Sequence, residues 1–326
     1  MTVCYFDCIG GAAGDMILAA LVDCGASRED VTEAIAALDL GATLTFEKVS
    51  KNGIRALKAS VQADDSVTQR AYKEVRALLE HADLEDAVRT RALEVFELLA
   101  RAEAKVHDSD LDDVHFHEVG AVDALVDIVG SCAALESLDV DTVVCSPIPT
   151  GRGFVQSQHG PLPLPAPAVV EILHGAPMFE RGDVETITPT GAALLQAFAS
   201  EFGPMPGLKI EASGYGAGAR DLDIPNVLRV VVGEETPARI DSPNALILEA
   251  NLDDMTPELV PYVIDSLLEA GAHDAWATPI VMKKGRPAVT IAALCDPTHK
   301  WHLMEILYRE TTTLGIRLSP LSKDVI

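Results

Sequence analysis

The sequence lacks the cysteine patterns that would indicate a zinc ribbon or a disulfide-rich fold. Its six cysteines contain no CxxC pair and no even spacing, so we expect small buried thiols in a reducing compartment. No stretch approaches the roughly 18 uninterrupted apolar residues of a membrane span. The first residues also lack the basic region and apolar run of a signal peptide. We therefore expect a cytoplasmic protein that does not bind a membrane.

Basic side chains are scarce. The chain has 25 Lys and Arg residues against 50 Asp and Glu residues, a formal net charge of -25. Nucleic-acid binding needs a basic surface, so this balance argues against that class of protein. Acidic residues spread over the whole chain, with few lysines, favour a protein that is kept soluble in a high-salt cytoplasm, where salt screens the self-repulsion.

The chain does contain enough apolar residues for a sizeable core. Its 326 residues are 48% hydrophobic, and this length favours two domains. Residues 3–8 predict a strand, which the glycine turn "IGGAAGD" and a helix ended by Gly25 follow. Residues 42–49 and 54–63 alternate around "KNG", a pattern that predicts a hairpin.

The rest of the N-terminal part alternates helices and short strands. Residues 147–168 are too rich in Gly and Pro to be regular, and Thr190 is the predicted N-cap of a helix that contains the apolar run after it. The other predictions are helices at 28–38, 68–80, 84–106, 119–138 and 167–174 and strands at 142–148, 208–212 and 227–232. Residues 233–243 are typical of a linker, so we predict a mixed α/β domain over residues 1–240.

Residues 241–326 form a shorter segment with its own pattern of elements. Apolar periodicity predicts strands at 245–250, 275–281, 288–294 and 314–318 and helices at 257–270 and 298–310. This order, βαββαβ, is the ferredoxin-like plan. The predicted fold class is therefore α/β (α+β), with a larger mixed α/β N-terminal domain and a smaller ferredoxin-like C-terminal domain.

The stretch "HFHEVGAVDALVDIVG" combines charge with core residues. Asp123 and Asp127 lie one helical turn apart on one face of a helix that has almost no other polar residue. Burying an ionised carboxylate is costly unless a partner compensates it. A lone histidine is usually structural, but a cluster beside two such carboxylates favours nickel, zinc or manganese. The five potential ligands are His115, His117, Glu118, Asp123 and Asp127.

Two other N-terminal features have alternative interpretations. The turn in "FDCIGGAAGDM" either holds a phosphate or is a tight turn in which Asp15 stabilises a helix N-terminus. Asp7 ends a strand, where α/β folds border their ligand crevice. Later polar residues are singly typical of caps and turns, but together they offer an arginine for a phosphate and a histidine for proton transfer. They are Arg152, Gln158, His159, Glu185 and Thr190.

The C-terminal segment contains complementary acidic and basic pieces. Asp253 and Asp254 follow a strand directly, and adjacent carboxylates suit Mg²⁺ or Mn²⁺. Lys283, Lys284 and Arg286 occupy the turn in "KKGRP", where a cationic cluster suits a polyphosphate. An N-cap and a solvated basic turn would explain the same residues, but a basic cluster in so acidic a chain favours a nucleotide site.

Taken in order, seven blocks of the sequence resemble the LarC family, the nickel-insertion proteins of the lactate racemase cofactor system. The blocks are "FDCIGGAAGDM", "VHFHEVGAVDALVDIVG", "HGPLPLPAPA", "ETITPTGAA", "NLDDMTPE", "KKGRPA" and "ETTTLGIR". The resemblance implies a lyase-type nickel chelatase, a CTP-dependent cyclometallase. Such an enzyme loads nickel into pyridinium-3,5-bisthiocarboxylic acid mononucleotide and hydrolyses CTP to CMP and pyrophosphate, with Mg²⁺ or Mn²⁺. It also implies CTP binding in the C-terminal domain.

The resemblance assigns roles to these residues. The five-residue cluster would handle nickel in the larger domain, and the two Asp residues would either ligate it or orient His115 and His117. The substrate brings sulfur donors, so cysteine ligands are unnecessary. Forming a nickel–carbon bond removes a ring proton, and the candidate bases are His117, His159 and Glu118. The residues implied for CTP and its cation are Asp253, Asp254, Glu258, Lys283, Lys284 and Arg286.

The resemblance leaves alternatives open. Longer family members continue past the block that matches "ETTTLGIR", whereas this chain stops at "LSPLSKDVI", so the C-terminal domain is expected to be shortened. If the tail completes the nucleotide site, the chain would be a nickel-binding or storage chaperone. The cluster alone would also permit a metal-dependent phosphohydrolase. The expected partners are the substrate, lactate racemase or a homologous apo-enzyme, and further copies of the chain in a homo-oligomer.

Overall fold

The computed structural model describes residues 1–63, 70–116, 122–157, 160–236 and 245–321. The chain has two units, Met1–Pro237 and Ala238–Ile326. Within the described ranges, no helix combines the length and the apolar character needed to cross a membrane.

The first unit contains strands and helices in alternation. Its strands are β1 (Thr2–Asp7), β2 (Ala42–Lys51), β3 (Ile54–Ala63), β4 (Arg70–Ala71), β5 (His115–Phe116), β6 (Thr142–Cys145), β7 (Ile148–Thr150), β8 (Phe154–Ser157), β9 (Gly160–Pro163), β10 (Met178–Glu180), β11 (Glu201–Phe202), β12 (Leu208–Ala217) and β13 (Val227–Glu235). Its helices are α1 (Gly14–Cys24), α2 (Arg28–Ala36), α3 (Tyr72–His81), α4 (Asp86–His107), α5 (Val122–Glu136), α6 (Pro167–Ile172) and α7 (Pro189–Phe198).

A seven-stranded mixed sheet organises this unit. Its strand order is β11-β6-β1-β13-β12-β3-β2. Strand β1 is parallel to β6 and antiparallel to β13, and it reads as a continuous apolar run because it is buried in the middle of the sheet. The mixed α/β class predicted for the N-terminal part is confirmed.

Helices α1 and α5 pack together over this sheet. Both are almost entirely buried, which explains why each reads as core. Small residues allow their close approach, since a Cβ at Gly130 of α5 would lie 3.2 Å from a methyl carbon of Leu18 on α1. On its other side α1 lies directly on β12, where a Cβ at Gly216 would lie 1.8 Å from the carbonyl oxygen of Met16. These contacts fix the position of the α1 N-terminus.

Several local predictions are confirmed. Gly25 ends α1 with a φ of 120°, a conformation that favours glycine. Strands β2 and β3 form the predicted antiparallel hairpin, and its turn has positive φ at both Asn52 and Gly53, as a two-residue hairpin of this type requires.

Two local predictions are wrong. Residues 147–168 are not wholly irregular, because β8 and β9 pair as an antiparallel ribbon. Prolines are compatible with a two-stranded ribbon because they can occupy positions where the backbone nitrogen does not donate a hydrogen bond to the other strand. The N-cap of α7 is Thr188 rather than Thr190. The Thr188 Oγ1 accepts a hydrogen bond from the N–H of Gly191 at 3.1 Å, and Pro189 takes the first helical position that proline favours.

The second unit has the predicted βαββαβ order of elements. They are β14 (Ala245–Leu252), α8 (Val260–Glu269), β15 (Asp274–Met282), β16 (Arg286–Cys295), α9 (Lys300–Glu310) and β17 (Arg317–Leu321). The strands form a separate antiparallel sheet in the order β15-β16-β14-β17. Its core lies where the two helices cover one face of the sheet, with Leu248, Val263 and Leu303 fully buried.

We predict that Gly216→Ala destabilises the first unit by about 1–3 kcal/mol, because the added methyl group would meet the backbone of α1. Urea unfolding followed by circular dichroism measures this loss. Gly203→Ala is the matched control, since a Cβ there meets only the end of the Glu201 side chain at 3.7 Å. Equal stability of the two variants would show that α1 can move away from β12 without cost.

Candidate functional site

A cavity of about 470 Å³ opens in the first unit where the N-terminal ends of α1, α5 and α7 approach β3. Four carboxylates and two threonines line it, and a cluster of acidic side chains at helix N-termini is favoured by the helix dipoles. These side chains are Asp15, Asp123, Asp127, Glu185, Thr188 and Thr190.

The glycine turn before α1 places that helix beside α7. The N–H of Ala12 donates to the carbonyl oxygen of Thr186 at 2.8 Å, and the N–H of Thr188 donates to the carbonyl oxygen of Ala12 at 3.2 Å. The backbones approach so closely that a Cβ at Gly191 would lie 2.4 Å from the oxygen of Ala12. Gly11 has a φ of 114°. The turn therefore serves close packing, which agrees with the tight-turn interpretation.

Asp127 lies against the first turn of α1. The N-cap residue Ala13 has no side-chain acceptor, and the backbone N–H of Asp15 favours the ionised form of the Asp127 carboxyl and so acts to lower its pKa. Gly14 permits this contact, because a Cβ there would lie 2.7 Å from Asp127 Oδ2. The other oxygen, Oδ1, is buried and has no hydrogen-bond partner among the described residues. Asp127 therefore has one oxygen close to the start of α1 and an unsatisfied acceptor in the other.

Burial opposes the ionisation of Asp127 and Asp15 in the cavity. Burial raises the pKa of the Asp127 carboxyl well above its usual range, and the charges of Asp15 and Asp123 raise it further. Burial also raises the pKa of Asp15, although the hydrogen bond from the Met16 N–H acts in the opposite direction. Asp123 is exposed. A cation bound here would remove the cost of keeping these carboxylates ionised.

Glu185 lines the same cavity from the segment before α7. Its Oε2 lies 3.4 Å from Nη2 of Arg220. The carbonyl oxygen of Arg220 accepts hydrogen bonds from Nδ2 of Asn226 at 2.9 Å and from Nζ of Lys51 at 3.2 Å. Two donors from different parts of the unit therefore hold the backbone that carries the arginine.

Only part of the predicted nickel cluster falls on described residues. Asp123 and Asp127 line the cavity, whereas His115 is exposed in β5. His117 and Glu118 lie outside the described residues. In the part of the chain that the structure describes, no group of three or more His, Cys, Asp and Glu side chains is arranged to hold a metal ion. The five-residue cluster stays a prediction.

The other polar residues of the N-terminal part are distributed as follows. Arg152 is exposed and pairs with Asp183 and Glu180, and it is not among the residues that line the cavity. Gln158 and the candidate base His159 lie outside the described residues. Asp7 forms an ion pair with Arg229 across β1 and β13.

In the second unit the structure brings acidic and basic candidates together. Asp253 Oδ2 lies 3.0 Å from Nη1 of Arg286, so the end of β14 meets the turn before β16. Asp254 accepts a hydrogen bond from the hydroxyl of Thr312. Lys283, Lys284 and Glu258 are exposed.

Sequence reasoning missed three contributors to these sites. Asp15 was interpreted only as a helix stabiliser, although its position after a glycine turn was a signal for a cavity residue. Arg220 gave no signal, and the block "ETTTLGIR" that contains Thr312 assigned no role to it, because both residues lie in irregular segments without periodicity and their partners are 35 and 58 residues away in sequence.

Comparison with known proteins gives a consistent result. The family described as nickel insertion protein matches residues 4–326. The pyridinium-3,5-bisthiocarboxylic acid mononucleotide nickel insertion protein of Nocardioides sp. is 46% identical over 331 residues, covering 100% of this chain and 83% of that protein. The protein of the same name from Desulfitobacterium hafniense is 44% identical over 334 residues, with the same coverage.

One solved structure matches a smaller part of the chain. It is the apo form of LarC2, described as the C-terminal domain of a cyclometallase involved in the synthesis of the NPN cofactor of lactate racemase. It is 47% identical over 23% of this chain and 52% of its own, with a TM-score of 0.23. The family match extends over nearly all of the sequence, and the chain therefore belongs to the nickel insertion protein family, LarC.

Proposed function

We propose that this protein inserts nickel into pyridinium-3,5-bisthiocarboxylic acid mononucleotide to make the nickel-pincer cofactor of lactate racemase. Membership of the nickel insertion family and relatives of that name along the whole chain support this function. The structural observation that carries it is the buried, unpartnered Oδ1 of Asp127 in an acidic cavity. Such an atom needs a proton or a cation, and nickel is the cation that the family handles.

The first unit would receive the metal. Asp123 and Asp127 would act with His115, His117 and Glu118, either as ligands or by orienting the histidines. The protein need not complete the coordination sphere, because the two thiocarboxylates of the substrate bring sulfur donors that suit nickel. A site with few protein ligands also allows the metal to leave with the product.

The second unit would bind and hydrolyse CTP. We propose that it follows the ferredoxin-like plan, which its strand order supports. Asp253 and Asp254, with Glu258 nearby, would hold Mg²⁺ or Mn²⁺ on the nucleotide. Arg286, with Lys283 and Lys284, would contact the phosphates. The Asp253–Arg286 contact supports this arrangement, since a potential cation ligand lies 3.0 Å from a side chain that we propose contacts phosphate.

The proposal also includes the class of reaction and the setting. The enzyme would be a lyase-type nickel chelatase, a CTP-dependent cyclometallase that acts in the cytoplasm as a homo-oligomer. Its product would pass to lactate racemase or a homologous apo-enzyme.

The purified chain should convert the substrate to its nickelated form when it is given nickel, CTP and Mn²⁺, with release of CMP. Mass spectrometry of the small molecules measures both products. Nickel binding without consumption of CTP would instead indicate a storage chaperone. Phosphate release that does not need the sulfur-bearing substrate would indicate a phosphohydrolase.

The two proposed sites should be separable by mutation. We expect Asp123→Ala to weaken nickel binding and Asp253→Ala to weaken CTP binding, each with little effect on the other ligand, as calorimetry with each ligand can measure. Asp265→Ala, at an exposed position on α8, is the control for the second unit. The two-site assignment fails if Asp253→Ala leaves CTP affinity intact while Asp123→Ala abolishes it.

Asp127→Asn should stabilise the nickel-free protein at neutral pH by about 1–3 kcal/mol while it lowers nickel affinity. The amide oxygen can still accept the Asp15 N–H, and the buried charge is removed. Because the folded-state pKa of Asp127 is raised, the wild type loses stability as pH rises from the usual aspartate pKa of about 3.9 through the folded-state value.

Urea unfolding at a series of pH values, at constant salt, measures this difference. The gap between Asp127→Asn and the wild type should close at acid pH, where both side chains are neutral, and widen as pH rises. A gap that is constant with pH would contradict the assignment of the effect to the Asp127 charge.

A further inference from the structure

The proposed reaction requires a base at the cavity of the first unit. The substrate has thiocarboxylates at ring positions 3 and 5, so a metal held by both sulfurs lies against the carbon between them. Forming the nickel–carbon bond breaks the C–H bond at that carbon. The electron pair stays with carbon and becomes the bond to nickel, while the proton must be accepted by another group.

Three of the four cavity carboxylates belong to α1 and α5. Asp127 lies against the first turn of α1, with its Oδ1 unpartnered among the described residues, and Oδ1 of Asp15 accepts the N–H of Met16 at 2.8 Å. Asp123 lies one turn from Asp127 and belongs to the same proposed metal cluster. Coordination to a cation lowers the basicity of a carboxylate, so a carboxylate outside the proposed metal cluster is the better acceptor for the substrate proton.

Glu185 differs from these three in its location and its partner. It reaches the cavity from the segment before α7 rather than from α1 or α5. It forms an ion pair with Arg220, in which Oε2 lies 3.4 Å from Nη2. Its side chain is 18% exposed, which leaves a path for the proton to reach water.

The segment that carries Arg220 is constrained although its guanidinium is half exposed. Asn226 and Lys51 both donate to the carbonyl oxygen of Arg220. Gly218 packs against Asn226 so closely that a Cβ would lie 2.5 Å from Nδ2. This arrangement holds a cation beside one particular carboxylate of the cavity.

We propose that Glu185 is the catalytic base that accepts the ring proton during nickel insertion, and that Arg220 is its positioning residue. The assignment rests on the proposed function. In the step, the ring C–H bond breaks, the carbon–nickel bond forms with that electron pair, and the proton moves to the Glu185 carboxylate. The proton then passes to water, and neither oxidant nor reductant is needed.

Glu185→Gln tests the base, because it keeps the shape of the side chain and removes its basicity. With the full chain, nickel, CTP, Mn²⁺ and the bisthiocarboxylate substrate, single-turnover formation of the nickelated product should slow by at least about 100-fold. Nickel and substrate affinities should stay at the wild-type values. Glu180→Gln is the matched control, since Glu180 is exposed, pairs with Arg152 and does not line the cavity.

Arg220 variants test the positioning role. Arg220→Met should lower kcat with little change in KM for the substrate, and Arg220→Lys should restore part of kcat because it keeps the charge. A purely structural role would instead lower thermal stability and change both parameters together. Circular dichroism of each variant separates loss of fold from loss of chemistry.

The outcomes are distinct. The assignment is supported if the wild type forms the nickelated product and the Glu185→Gln variant forms it slowly while it still binds nickel and the substrate. Wild-type rates in Glu185→Gln, or a loss of nickel affinity that matches its loss of rate, would overturn it, the latter because Glu185 would then be a metal ligand. Failure of the wild type to nickelate the substrate would overturn the proposed function itself, before any variant is compared.

Discussion

The contact between the Asp127 carboxylate and the N-terminus of α1 is the interaction on which the candidate site depends. It lies at the start of α1, where Ala13 has no side-chain acceptor, and it brings α5 against α1 at the cavity. One oxygen of this carboxylate lies close to Gly14, and the other is left without a partner among the described residues. A helix N-terminus tolerates such a group because its dipole favours negative charge.

The cavity follows from packing that leaves little room for change. Glycines bring the turn before α1 against α7, and Gly14 brings α1 against Asp127. The N-terminal ends of α1, α5 and α7 meet at the cavity, so the positive ends of three helix dipoles lie close together. Carboxylate side chains line the cavity at this point. The first unit is therefore arranged to keep acidic groups close together at a cost in stability, which is typical of sites that bind a cation.

The order of elements could be predicted from the sequence, whereas the contacts could not. Periodicity found the helix of Asp123 and Asp127 because core residues surround them. It could not find that Asp127 lies against the start of another helix, since that contact depends on how closely α1 and α5 approach. The cap of α7 was misplaced at Thr190 although Pro189 indicated Thr188, because proline favours the first position of a helix. Arg220 reaches Glu185 across 35 residues from an irregular segment.

The contact between Asp127 and the start of α1 has a consequence for the stability of the metal-bound protein. A cation on Oδ1 of Asp127 would bind a carboxylate that lies against the first turn of α1, and α1 in turn contacts β12 and α5. Because a ligand that binds only the folded state stabilises it by mass action, metal binding would raise the free energy of unfolding of the first unit. The metal-free protein would therefore be the more easily unfolded form.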